Sequence, residues 1–199
     1  MSDPADLTPE LLLYTYSQGI FPMGHDDGEI YWYDPDPRAI IPLDERFHVP
    51  RSLARRIRQG GFEVRVDSAF RAVITACAEL DENRERTWIS PEIIDVYWEL
   101  HELGYAHSVE TWIDGELVGG LYGVTLGGLF AGESMFSRAT DSSKIALVHL
   151  VERLRSCGFT LLDTQFMTEH LRRFGAMEIP RAEYQTRLRQ ALLTSTSWL

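Results

Sequence analysis

The order of elements in the second half of the chain constrains its fold more than anything else. Ser108–Ile113 reads as a strand, Asp114-Gly115 as a hairpin turn and Leu117–Leu126 as the return strand. Gly127-Gly128 makes a second turn into Leu129–Met135, which completes an antiparallel meander. An amphipathic helix is expected over Ser142–Cys157, with Ile145, Val148, Val151 and Leu154 as its buried stripe and Gly158 as its stop. Phe159–Gln165 is then a strand that can re-enter the sheet. Thr168–Phe174 and a Pro180-initiated segment to the C-terminus are expected helices. The fold class is therefore α+β.

Three polar groups stand out within these apolar strands. Glu133 is the lone carboxylate of a glycine-rich strand, and Asp163 and Gln165 lie two apart in another. Side chains alternate along a strand, so Asp163 and Gln165 share a face about 7 Å apart. Burying such groups unpaired costs several kcal/mol at worst, roughly 2–7 kcal/mol each, and a polar site on a rigid sheet removes that cost. An Asp163–Gln165 side-chain hydrogen bond would hold the amide with its carbonyl oxygen toward an incoming group. Glu133 serves equally well as a salt-bridge partner of Arg138. On strict alternation it faces away from Phe130, so both reach one pocket only if a bulge intervenes, with Gly132 the natural place.

The first half is more broken. Thr8-Pro9 starts a helix that Gly19 closes, and residues 20–45 read as loop or short strands rich in aromatics. Pro50 opens a helix ended by Gly60, with Leu53 and Ile57 inside and Arg51, Arg55 and Arg58 on one outer face. Phe62–Val66 is a strand, Asp67 the expected cap of a helix to Leu80, Asp81–Arg86 a polar loop, and Ser90-Pro91 the start of a helix that Gly104 ends. The expected organisation is a small N-terminal α/β lobe over residues 1–66 and a catalytic domain over 67–199.

Charge separates along this order. The chain carries −11 overall, yet residues 46–65 hold six arginines against one glutamate. An acidic protein does not coat nucleic acid by bulk electrostatics, but a local patch can meet a few phosphates. No apolar run is long enough to span a membrane, and the start of the chain lacks the basic and apolar segments of a secretory signal. Cys77 and Cys157 are lone and far apart, as in a reducing cytoplasm. No metal site is expected: His101 and His107 stand six apart, off a common helix face.

Meander, helix and returning strand form the plan of the N-acetyltransferase-like (GNAT-like) acyltransferases. Acyl-coenzyme A enzymes of that plan carry a glycine-rich phosphate loop at the start of the long helix. Here that stretch, Ser137–Lys144, has no glycine. An acyl-CoA-dependent N-acetyltransferase remains the alternative reading, and a catalytically inert RNA-binding domain a third.

Several segments in order give a sharper reading. Tyr16-Ser-Gln-Gly-Ile-Phe-Pro22, Trp32-Tyr-Asp-Pro-Asp-Pro-Arg38, Thr87-Trp-Ile89, Leu100–Glu110, Leu117–Val124, Gly132-Glu-Ser-Met-Phe-Ser-Arg138 and Asp163-Thr-Gln165 resemble the leucyl/phenylalanyl-tRNA–protein transferases. The resemblance implies a cytoplasmic enzyme that moves Leu, Phe and, less well, Met from aminoacyl-tRNA to proteins beginning with Arg or Lys, marking them for degradation. It needs no cofactor. It implies Glu133, Asp163 and Gln165 for the acceptor amine and the chemistry. Trp88, Leu121 and Phe130 would line the aminoacyl pocket, although such residues are core by default. Tyr16 and Met23 would flank the terminal adenosine. Relatives often carry Trp at the position of Met23, and a thioether stacks less well than an indole. Arg51, Arg55 and Arg58 are the candidate contacts to the tRNA backbone.

Overall fold

The computed structural model describes residues 7–25, 27–80 and 86–198. The polar loop expected at Asp81–Arg86 lies, apart from Arg86, outside the described residues, as does the segment before residue 7. Seven strands form one mixed sheet in the order β4 (Glu63–Val66), β5 (Ala106–Ile113), β6 (Glu116–Leu126), β7 (Leu129–Ser137), β8 (Leu161–Gln165), β3 (Arg38–Ile41) and β9 (Met177–Ile179). Only β7 and β8 run parallel. A separate hairpin pairs β1 (Phe21–Gly24) with β2 (Ile30–Tyr33).

Local signals account for most of these elements. The Thr8 hydroxyl accepts the Leu11 N–H and caps α1 (Pro9–Ser17), and Ser90 does the same for α4 (Pro91–Glu102) through Ile93. The Asp114-Gly115 and Gly127-Gly128 turns stand where expected, and β5, β6 and β7 form the meander. The long helix α5 (Ser142–Ser156) is buried well beyond its expected stripe, because Ala146, Leu147 and Leu150 are also inside.

Neighbouring residues of β6 and β7 serve opposite faces. Tyr122, Ala131 and Phe136 pack with α1, α3 (Phe70–Ala78) and α4, whereas Leu121, Phe130 and Met135 pack with α5 and with Leu53 of α2 (Arg51–Gln59). At the far end α7 (Arg181–Leu192) covers Ile40, Leu129, Leu161 and Ile179. A Cβ on Gly123 would collide with Phe130 and the Ala131 carbonyl, and one on Gly119 with Ser142, so both close approaches require glycine.

Three expectations change. Asp67 does not cap α3: its carboxylate takes the Ser108 N–H (2.8 Å), His107 (2.9 Å) and the Trp198 indole (2.7 Å). The N–H groups of Ser68 and Ala69, just ahead of α3, instead reach Glu110 on β5, whose buried carboxylate also receives Ser108 Oγ and Trp112 Nε1. A long-range carboxylate has replaced the local one. The C-terminal helix stops at Leu192, short of the chain end. Finally, β3 and β4 of the first 66 residues are strands of the same sheet as β5–β9, with β3 inserted between β8 and β9.

Candidate active site

The parallel pairing of β7 with β8 ends at Ala131↔Asp163. Beyond it β7 runs on to Ser137 and β8 to Gln165 without further partnership between them. Where they part, a cavity of about 300 Å³ opens, walled by Phe21, Met23, Trp88, Leu121, Glu133, Met135, Leu147, Leu150, Leu162, Gln165, Phe166, His170 and Leu171, among others. Most of that wall is aliphatic or aromatic. Glu133 of β7 and Gln165 of β8 are among its polar members, with Ser134, Thr164, Thr168 and His170.

A bulge aims Glu133. Tyr122 pairs with Ser134 and Gly123 with Gly132, which leaves Glu133 as the extra residue. Its Oε1 accepts the Tyr16 hydroxyl at 2.7 Å and its Oε2 the Tyr97 hydroxyl at 3.4 Å, and the two hydroxyls lie 2.5 Å apart. Burial pushes the Glu133 pKa up to about 8; the nearby Asp163 charge adds to this and the Tyr16 and Tyr97 hydroxyls oppose it. Both tyrosines are held well above their ordinary values, chiefly by burial. Near neutral pH this is a carboxyl group that holds its proton. The salt bridge between Glu133 and Arg138 does not form, since Arg138 pairs with Glu79.

Asp163 is fully buried and surrounded by donors. Oδ1 accepts Arg38 Nε (2.9 Å) and the Gln165 backbone N–H (2.9 Å); Oδ2 accepts Arg38 Nη2 (2.6 Å) and the Tyr184 hydroxyl (2.8 Å). The expected bond from Asp163 to the Gln165 side chain is replaced by one to its backbone. Strict alternation fails because Gln165 ends β8 with φ of 59°, a left-handed conformation. Its side chain is 6% exposed, reaches the cavity wall and keeps Nε2 without a partner among the described residues.

The remaining expected residues divide. Met23, Trp88 and Leu121 line the cavity. Phe130 does not: it is wholly buried against Trp198, ring centroids 5.5 Å apart. Tyr16 is 1% exposed, so its ring has no face to offer an adenosine, and its hydroxyl supports Glu133 from behind. Arg51, Arg55 and Arg58 are exposed on α2, away from the cavity wall.

Sequence reasoning passed over Arg38, Tyr97 and Tyr184, and the Met135, Leu147, Leu150 and Leu171 part of the wall. Arg38 carried a signal, being the sole Lys or Arg of the first 45 residues. Elsewhere, Asp67, His101 and His107 bring potential ligand atoms within 4.8 Å of one another. The spacing argument against the two histidines assumed one helix, and His107 lies on β5. Hydrogen bonds already tie this group together: His107 to Asp67 and Gly104, His101 Nδ1 to Ala106, and Asp67 to Trp198.

A half-buried acid and a buried amide beside an apolar cavity fit several acyl transfers, and comparison with known proteins decides among families. Residues 40–189 match the leucyl/phenylalanyl-tRNA protein transferase model, and residues 5–36 match the N-terminal domain model of the same family. The chain belongs to the leucyl/phenylalanyl-tRNA–protein transferase family. The relative of that name from Herpetosiphon aurantiacus is 65% identical over 96% of this chain and 98% of its own. Those from Salinibacter ruber (58% identical, over 98% of this chain and 84% of its own) and Paramagnetospirillum magneticum (59%, over 96% and 92%) are similar at nearly full length. Among solved structures, L-PGS from Bacillus licheniformis is a distant likeness: 16% identical, TM-score 0.42, over 82% of this chain and 55% of that one. No helix among the described residues is long and apolar enough to cross a membrane.

Proposed function

We propose that this enzyme transfers Leu, Phe and, less well, Met from aminoacyl-tRNA to the α-amino group of cytoplasmic proteins beginning with Arg or Lys, marking them for degradation. The observation that carries this reading is the cavity between β7 and β8, apolar enough for such side chains and flanked by Glu133 and Gln165. The element order β5–β6–β7–α5–β8 supports a GNAT-like plan. The glycine-free stretch from Ser137 to Lys144, at the start of α5, speaks against acyl-coenzyme A as the donor.

The donor side chain enters among Trp88, Leu121, Met135, Leu147 and Leu150, with Met23 beside the terminal adenosine. The neutral α-amine attacks the ester carbonyl carbon, a C–N bond forms, and the C–O bond to the terminal ribose breaks. The amine loses one proton and the ribose oxygen gains one, so no enzyme nucleophile is required. An α-amine has an ordinary pKa of about 7.7–8.0, which matches Glu133, so proton exchange between them is nearly balanced. Gln165 orients the reacting groups from the other strand, and Asp163 sets Gln165. Arg51, Arg55 and Arg58 on α2 contact the tRNA backbone.

The test is incubation with radiolabelled Leu-tRNA and a peptide beginning with Arg, followed by a count of label on the peptide. Transfer with neither Leu-, Phe- nor Met-tRNA, but with acetyl-coenzyme A, would replace this reading by the N-acetyltransferase one.

A further inference from the structure

Asp163 is the residue of this site that looks most like a proton acceptor, and its surroundings argue otherwise. A carboxylate offers about four lone-pair positions. Arg38 Nε, Arg38 Nη2, the Gln165 N–H and the Tyr184 hydroxyl occupy four, all within 2.9 Å. Asp163 has no exposed surface, and Arg38 and Tyr184 are 1% and 0% exposed. A fifth donor, such as a substrate amine, has nowhere to approach.

Arg38 is fixed as firmly as its partner. It reaches Asp163 from the neighbouring strand, where Ile40 pairs with Asp163 and Ala39 with Gln165. Its Nη1 donates to the Gly19 carbonyl at 2.8 Å, and its guanidinium lies 4.4 Å from the Tyr184 ring centroid and 4.8 Å from that of Phe21. Burial works against its charge and the Asp163 carboxylate more than offsets that, which holds the guanidinium above its ordinary pKa. The pair is thus a rigid buried clamp. It is tied to Gln165, on the cavity wall, by the Gln165 N–H, donated to Asp163 Oδ1 by a backbone held at positive φ. Without that bond the left-handed conformation, disfavoured for a residue other than glycine, would relax and carry the amide off the cavity wall.

We infer that Arg38, with Tyr184, is a positioning residue for transfer: it saturates Asp163, which anchors the Gln165 backbone and accepts no proton during the reaction. The inference rests on the aminoacyl transfer proposed above and assigns Asp163 a mechanical part in it. The single variants Arg38→Gln and Asp163→Asn each leave a buried group without its counter-charge, and each should lower kcat about 100-fold or more with little change in KM for aminoacyl-tRNA. The double variant Arg38→Gln with Asp163→Asn restores a neutral amide pair able to hold the Gln165 N–H. It should recover at least about tenfold over Asp163→Asn alone, since coupled partners are not additive. A double variant no faster than Asp163→Asn overturns the inference, because lost basicity cannot be repaired at Arg38.

Tyr184→Phe decides the matter where the ion-pair variants do not fold. Removing this hydroxyl frees one lone pair on Oδ2. Under positioning, kcat falls about three- to tenfold, the effect of one hydrogen bond, and the pH profile keeps its shape. A shift of the acidic limb of that profile by about half a unit or more would show Asp163 titrating in catalysis and overturn the inference. Wild-type protein that transfers nothing from Leu-, Phe- or Met-tRNA sinks the proposed function, and this inference with it. An active wild type leaves the variants to judge the inference alone.

Discussion

Replacing Glu133 by Gln tests the central electrostatic feature of the site through stability. Glutamine keeps the shape and the oxygen that accepts the Tyr16 hydroxyl, and it cannot ionise. In the unfolded chain Glu133 loses its proton near its ordinary 4.5, whereas in the fold burial holds the proton to about pH 8. Between those values the folded state carries one proton more than the unfolded state, so rising pH favours unfolding by about 1.4 kcal/mol per unit. Above pH 8 both states have lost the proton and the effect levels off; below 4.5 both keep it and the penalty vanishes. The whole interval corresponds to about 4–5 kcal/mol. From pH 5 to pH 8 the same two values give about 3–4 kcal/mol.

The assay is urea unfolding of wild type and Glu133→Gln at pH 5, 6, 7 and 8. Other titrating groups contribute equally to both proteins and cancel in the difference. The variant should gain on the wild type steadily, by about 3–4 kcal/mol from pH 5 to pH 8. The same substitution should lower kcat for transfer about 10²- to 10⁴-fold, the range for losing acid–base help. A stability difference that stays flat across this range would mean that Glu133 ionises as an ordinary carboxylate, and the matched proton exchange with the amine would have no basis.

Other outcomes follow from the cavity, the surface and the core. Val-tRNA, short of one methylene and stiff at χ1, should be used less well than Leu-tRNA by about 1–3 kcal/mol in kcat/KM, and equal use would contradict a cavity shaped by Trp88, Leu121 and Leu150. Reversing the α2 patch with Arg51→Glu and Arg55→Glu should weaken tRNA binding and flatten its salt dependence, itself shallow at about 2–4 released ions. Transfer from a minimal aminoacyl-adenosine should survive that change, and equal losses with both donors would place these arginines in the fold. Glu110→Ala strands the N–H groups of Ser68 and Ala69 and the Trp112 indole, and should cost about 3 kcal/mol or more on urea unfolding, with a loss under 1 kcal/mol counting against its role as the α3 cap.

What was legible from the residues was what short-range chemistry decides. Thr8, Ser90, Asp114-Gly115 and Gly127-Gly128 act on backbone within a few positions of themselves, and the elements they bound appear nearly where expected. The bulge was also within reach, because Glu133 and Phe130 conflict in parity and Gly132 stands beside them. The illegible part depended on partners far along the chain. Whether Asp67 or Glu110 caps α3 rests on a strand some 40 residues away. The resemblance put Phe130 at the aminoacyl pocket and Tyr16 at the adenosine, and only packing against Trp198 and Tyr97 shows them to be supports. Alternation placed Asp163 beside Gln165, but the positive φ that ends β8 turned a side-chain contact into a backbone one. Nothing local says that a four-residue strand starting at Arg38 enters between β8 and β9.

That inserted strand sets an order of events. Arg38 meets Asp163 across 125 residues and Tyr184 across 146, so the clamp closes only after almost the whole chain exists. During synthesis the meander and α5 can assemble early from neighbouring sequence, whereas β3, made first, and the outer edge of β7 wait bare until β8 follows. Such an edge is a template for another chain, and long-range closure is slow. The enzyme therefore comes alive in a single late step, and incomplete chains carry a sticky strand and no function. Excess synthesis should load the cell with aggregates built around β3 and the bare edge of β7, relieved by slower translation or by a chaperone that shields strand edges.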